Sequence, residues 1–250
     1  NLDLTAPVLT QAEIGTLATT FNAMTEQIKQ LVQSLETRVA ERTTDLEIAR
    51  KQSELRASKL QSIGEISKVI TGEQNLENLL PLITRLVSER FGFYHTGIFL
   101  LNETNQFAVL QAANSEGGKN MLARGHRLEV GGSGIVGYVA KFGTARIALD
   151  VGLDAIFFNN PDLPETRSEI ALPLRIGSNI FGVLDVQSTE AQAFSQEDVS
   201  ILSTLAEQVG IAIQNARSYQ ESQEALSQAE IISAQLSEQQ WKQFRARQPI

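Results

Sequence analysis

The chain of 250 residues has no cysteine. That excludes disulfides, thiolate metal sites, cysteine nucleophiles and cysteine-attached chromophores. Its two histidines, His95 and His126, stand far apart and do not suggest a zinc constellation. No apolar run reaches the roughly 18 residues that would cross a bilayer. No basic stripe stands out either: 21 Lys and Arg face 29 Asp and Glu, for a net charge of −8. Nucleic acid is therefore not an expected partner. Glycine and proline are nearly missing from the first 70 residues, where Pro7 is the only proline. The first residue is not Met and falls inside a pattern, so the chain reads as an excised fragment. What is present, 42% hydrophobic and 20% charged residues, suits a folded core.

The segment poor in glycine carries a seam. Ile14, Leu17, Phe21, Met24 and Ile28 follow one another at steps of 3 and 4 residues. The step from Ile28 to Val32 is a second consecutive 4, a stutter that locally unwinds a supercoil. The seam resumes through Leu35, Val39, Arg42, Leu46, Ala49, Ser53, Arg56, Leu60 and Ile63. Such a repeat predicts a long coiled-coil helix. At about 1.5 Å per residue, a helix from Ala12 to Ile70 would be roughly 90 Å long. It cannot bury its stripe alone, so a partner helix is expected. Arg42, Ser53 and Arg56 weaken the seam and bear on its register.

From about residue 74 the pattern changes. Leu76–Phe91 reads as an amphipathic helix. Tyr94–Leu101, Phe107–Ala113, Arg127–Val130, Ala145–Leu149, Glu169–Ile176 and Ile180–Gln187 read as strands, with a hairpin turn at Gly177-Ser178-Asn179. Asn159–Glu165 is a loop by composition. Ser195 is a good N-cap for a last helix, and Asp198 is an acid in its first turn. Leu202, Leu205, Val209, Ala212, Ala216 and Tyr219 continue that helix at steps of 3 and 4, and Leu226 extends it. The expected fold class is α+β, a six-stranded mixed or antiparallel sheet flanked by helices and bracketed by long parallel coiled-coil helices.

Residues 132–137 read GSGIVG, a G-x-G-x-x-G between a strand and a helix, and Asp150 follows the next strand. That order is the dinucleotide fingerprint. The flanking segments argue against it. Arg127–Val130 alternates as a half-exposed strand does, whereas a Rossmann strand is a continuous apolar run. Ile135–Phe142 is only about two turns before Gly143 ends it. The glycines then serve a tight strand-to-helix turn, with Ser133 available as an N-cap. An anion facing the amides of Gly134 and Ile135 remains open.

Several stretches resemble known families. QAEIGTLATTFNAMTEQI (11–28) resembles the second helix of a HAMP signalling domain, with Glu13, Gly15, Leu17, Phe21, Asn22 and Met24 at its hallmark places. NLDLTAPVL is similar to the HAMP connector, and the first HAMP helix is missing. LETRVAERTTDLE (35–47) resembles the linker coil of bacterial histidine kinases. FGFYHTGIFLLNE (91–103), VGGSGIVGYVAKFGTARIALDV (130–151), TRSEIALPL (166–174) and IFGVLDVQS (180–188) together resemble a GAF sensory domain. The implied organisation is residues 1–30 as the C-terminal part of a HAMP domain, 31–61 as a signalling linker, 62–218 as the GAF domain, and 219–250 as an exit coil.

The GAF resemblance places the turn at Ser133, Gly134 and Ile135 beside a ligand pocket, and Arg167, Ser168 and Glu169 at its mouth. A plainer reading has Arg167 and Glu169 pairing locally. Phe157 and Phe158, with Asp150 and Asp154 nearby, are candidates for a lid. Covalent bilin attachment is excluded by the lack of cysteine. His126 is the one tempting haem ligand, although a solvated loop histidine is the commoner case. The signature of cyclic-nucleotide-binding GAF domains is not found in order. No catalytic constellation is evident, and the cofactor stays unidentified. The expected function is a cytoplasmic sensory relay at the inner membrane of a bacterial receptor, tethered only through upstream segments, dimeric through its parallel seam, and feeding a histidine kinase. A ligand-free dimerisation spacer and a nucleotide-dependent enzyme are the alternatives.

Overall fold

The structure is a computed structural model that describes residues 5–7, 13–151 and 160–246. Two compact units divide the chain, Asn1–Ser58 and Lys59–Ile250. Helix α1 covers Glu13–Thr71. Good helix formers such as Ala, Leu, Glu, Gln and Arg fill it, and Gly15 and Gly64 are its only glycines. Within the first unit its apolar seam is open. Ile14 is 78% exposed and Val32, the most covered of the large apolar seam residues there, is still 38% exposed. Arg42 is exposed as well. Asn22 ties down the segment before the helix. Its amide oxygen accepts from the Ala6 N–H at 2.7 Å and its amide nitrogen donates to the Ala6 carbonyl at 2.9 Å.

In the second unit the end of α1 changes role. Ile63, expected on the seam, is 5% exposed and belongs to the core with Ile66 and Ile70. The same step of 3 and 4 serves a coiled coil or a domain face, and here neighbouring helices supply the cover. Helix α2 (Leu76–Phe91) starts at Asn75, whose side chain accepts from the Glu77 and Asn78 N–H groups. It ends at Gly92 in the left-handed region, φ 73°.

The sheet comprises β1 (His95–Leu101), β2 (Phe107–Ala113), β3 (Arg127–Glu129), β4 (Arg146–Ala148), β5 (Ser168–Ile176) and β6 (Asn179–Ser188). Their order is β3-β2-β1-β6-β5-β4, and every neighbouring pair is antiparallel. Of the two sheet types expected, the antiparallel one is found. Helices α3 (Glu116–Ala123) and α4 (Ile135–Phe142) cover one face of the sheet, and α1, α2 and α5 (Gln196–Ala246) cover the other. Helix α3 has no counterpart among the elements read from the sequence, and its Gly117-Gly118 is poor helix-forming material. Both glycines are there for contact: a Cβ at Gly117 would strike the Asp162 carbonyl, and one at Gly118 would strike Ala113.

Helix α5 begins on a reciprocal cap. Asp198 accepts from the Ser195 N–H at 2.9 Å, and the Ser195 hydroxyl accepts from the Asp198 N–H at 3.2 Å. Asp198 also pairs with Lys59 of α1, which joins the start of α5 to the last turns of α1. Leu202, Leu205, Val209, Ala212 and Ala216 are buried on the sheet, whereas Tyr219, Leu226, Ile231, Ile232 and Leu236 are exposed.

Candidate ligand cavity

The face of the sheet under α3 and α4 is apolar at its edges and polar at its centre. Strand register causes this. His95, Gln187 and Glu169 lie directly opposite one another across β1, β6 and β5. Asp185 occupies the next inward position of β6, between Gly97 and Ala171. Small neighbours on both sides give its carboxylate room. All four polar side chains are buried: His95 is 0% and Asp185 2% exposed.

Hydrogen bonds fix their orientation. The Thr166 hydroxyl donates to Gln187 Oε1 at 2.6 Å, and Gln187 Nε2 donates to Asp185 Oδ2 at 2.7 Å. The Ser115 hydroxyl oxygen accepts from the Gly118 N–H at 3.0 Å and lies 2.6 Å from His95 Nδ1. Ser115 and His95 Nδ1 thus share one hydrogen bond, and the other ring nitrogen faces Asp185. That nitrogen, Nε2, is 4.0 Å from Asp185 Oδ2. Two buried atoms, His95 Nε2 and Asp185 Oδ1, have no hydrogen-bond partner. Such orphans inside a fold carry a desolvation cost.

Burial pushes the Asp185 carboxyl up to about 6, against the opposing pull of Glu169, Gln187 and the Val186 backbone. Burial holds His95 down to about 4, so it is neutral near pH 7. The Glu169 carboxyl beside Asp185 makes a buried acid pair, in which full ionisation of both is unfavourable.

Above this floor lies a cavity of about 30 Å³. Phe99, Met121, Leu128, Ile135, Val136 and Leu163 form its apolar wall, and Gly134, His126 and Asn160 complete it. Asn160 in the lining donates to Met121 Sδ at 2.7 Å, and Asp162 pairs with Arg124 at the end of α3. His126 sits in the wall rather than in a solvated loop. Burial lowers its pKa, as does the charge of Arg124, while Asp162 opposes.

The expected pocket residues separate. Gly134, Ile135 and Glu169 line the cavity. Ser133 is exposed and does not cap α4: the cap is Gly134, at φ 99° and ψ 153°, with no side-chain bond. Only glycine takes that conformation readily, so a serine cap cannot form there. Ser168 is buried and its hydroxyl donates to the Glu190 carbonyl at 2.6 Å, away from the cavity. Arg167 is exposed and pairs with Asp150 across 3.8 Å, outside the lining. The local pairing expected for Arg167 thus has Asp150 as its acid, while Glu169 turns inward. Phe157, Phe158 and Asp154 lie outside the described residues.

The third glycine of GSGIVG, Gly137, faces β3, where a Cβ would come 2.5 Å from the Glu129 carbonyl oxygen. The motif is a close helix–strand crossing beside the cavity. Asp185, Gln187, His95 and Thr166 were not picked out from sequence as site residues. The available signal was Asp185 itself, a charge in the middle of the apolar run Phe181–Val186 at a position that alternation turns inward.

Among proteins already known, a curated relative, GAF domain-containing protein A of Dictyostelium discoideum, is 28% identical over 161 residues, covering 64% of this chain and 94% of the relative. The GAF domain of a phosphoenolpyruvate-protein phosphotransferase from Coxiella burnetii superposes with a TM-score of 0.59 at 22% identity, covering 65% of this chain and 96% of that one. The free methionine-R-sulfoxide reductase of Neisseria meningitidis, solved with its substrate, gives 0.58 at 23% identity, covering 65% and 92%. Both solved structures share the fold of the sheet and its flanking helices. The profile of the GAF domain family matches residues 73–214, so the chain belongs to the GAF domain family of regulatory sensory modules.

Proposed function

We propose that the GAF domain of this chain senses a small molecule in the cavity beneath α4 and relays its state through α1 and α5. One observation carries the relay reading. Helix α1 contributes Ile63, Ile66 and Ile70 to the core, yet its seam from Ile14 to Leu46 is exposed. A stripe of that length needs a partner, and a second copy in parallel register supplies matching residues. The HAMP-like residues 11–28 support placement behind a bacterial transmembrane receptor on the cytoplasmic side of the inner membrane. The kinase-like linker 35–47 supports a histidine kinase output. Among the described residues no helix is long and apolar enough to cross a membrane, so the tether would lie in other segments. The switch is a population shift between two packings of the seam, eased by the stutter at Val32 and by Arg42 and Arg56.

Binding without turnover is our reading of the cavity. Reduction of a sulfoxide requires a two-electron donor, and this segment has no cysteine to act as one. A dinucleotide is far larger than 30 Å³, and so is haem. The small size of the cavity also favours a second reading, a ligand-free dimerisation spacer.

The absence of cysteine makes the dimer directly testable. Leu35→Cys places one thiol on the seam, and Gln33→Cys places one off it. The parallel dimer predicts rapid disulfide linkage of the first and little of the second. Equal linkage of both, or none with a monomeric mass, contradicts the relay.

A further inference from the structure

We propose that the cavity holds the head of a small protonated primary amine, seated against the Asp185 and Glu169 carboxyl groups; this rests on reading the GAF unit as a ligand sensor. The floor offers acceptors and negative charge. The Gln187 amide is spent at both ends, on Thr166 and on Asp185. Asp185 Oδ1 is buried with no hydrogen bond, although its residue is only 2% exposed. A second carboxyl group stands beside it, and a buried acid pair calls for a proton or a cation between its members. His95 does not supply that cation, since burial keeps it neutral and its Nε2 is 4.0 Å from Asp185 Oδ2. No lysine or arginine lines the cavity among the described residues, which disfavours an anionic ligand. A metal ion is poorly served too, because no group of three or more metal-ligating side chains occurs among the described residues.

Size and wall chemistry narrow the class. About 30 Å³ equals roughly two water-sized positions, which fits an ammonium nitrogen and one carbon. Phe99, Met121, Ile135 and Leu163 offer apolar contact to that carbon and to a short chain attached to it. An ammonium group brings three donors to a floor where Asp185 Oδ1 lacks one. Burial disfavours the charge on Asp185, and a bound cation offsets that cost.

The test is the melting temperature of the full chain near pH 7.5 with methylammonium, ethylammonium or n-butylammonium chloride. Ethanol and acetate serve as neutral and anionic isosteres, and potassium chloride as the salt control. The ammonium salts should raise it in a dose-dependent way, and the controls should not. Asp185→Asn and Glu169→Gln should each weaken the response roughly tenfold or more while keeping the native circular dichroism. Asp45→Asn on exposed α1 should leave it unchanged. If Asp185→Asn does not fold, Glu169→Gln carries the test. An equal response to acetate or ethanol, or an undiminished response in the folded variants, overturns the amine assignment and leaves a ligand cavity standing. No response to any ammonium salt overturns the assignment too. The sensor reading then falls only if the protein purified from its natural cells also carries no small molecule.

Discussion

Asp185 and His95 are buried neighbours whose proton affinities move in opposite directions. The carboxyl of Asp185 rises from 3.8 to about 6, so its favourable contribution is complete below pH 3.8 and is lost as pH rises to about 6. His95 falls from 6.5 to about 4, so its contribution is complete above pH 6.5 and is lost as pH falls to about 4. Each shift corresponds to about 3 kcal/mol. The two windows nearly coincide, so these two contributions oppose each other between pH 4 and 6.5. Asp185→Asn should then gain stability steeply as pH rises across that range, and His95→Gln should lose it. Denaturant unfolding at several pH values measures both slopes, and parallel profiles for the two variants would contradict the assignment. The glycine turn gives a second prediction at this scale. Gly134→Ala at φ 99° should cost about 1–3 kcal/mol. Gly137→Ala should also destabilise, since its Cβ would meet the Glu129 carbonyl. Equilibrium unfolding compares each with wild type, and a neutral result at Gly134 would refute the strained cap. Of the residues read from the sequence, Gly134, Ile135 and Glu169 line the cavity. Sequence reading missed Asp185 because one acid in an apolar strand has a partner only after β5 and β6 are set in register.

At the scale of elements, local chemistry was legible wherever it was strong. Helix α2 matches its expected bounds because Asn75 and Gly92 mark both ends. Asn75→Ala should cost about 1 kcal/mol by leaving the Glu77 and Asn78 amides uncapped, which equilibrium unfolding would show. The six strands fall within a residue or so of their alternating runs. Helix α3 escaped notice because its glycines answer to distant residues, Asp162 and Ala113, which no local pattern reveals. The start of α5 was visible in Ser195 and Asp198, but the pairing with Lys59 spans most of the chain. Asp198→Ala removes the cap and that ion pair together. It should lower stability by about 1–2 kcal/mol and raise amide exchange in the first turn of α5. Unchanged exchange there would mean that the cap is idle.

For the whole molecule, the seam and the cavity make separate demands. Val39→Asp should dissociate the proposed dimer in sedimentation while leaving the second unit folded, because Val39 lies in the exposed part of α1. Replacing Arg42 and Arg56 together by Leu should strengthen the dimer and bias signalling in the full protein. A stronger dimer with unaltered signalling would argue against a seam kept weak for switching. The central claim concerns the cavity, and native mass spectrometry of the chain purified from its natural cells tests it most directly. The account predicts one small basic molecule per chain, released on denaturation and missing from Asp185→Asn. A clean apo mass for both proteins would contradict the sensor and leave the spacer.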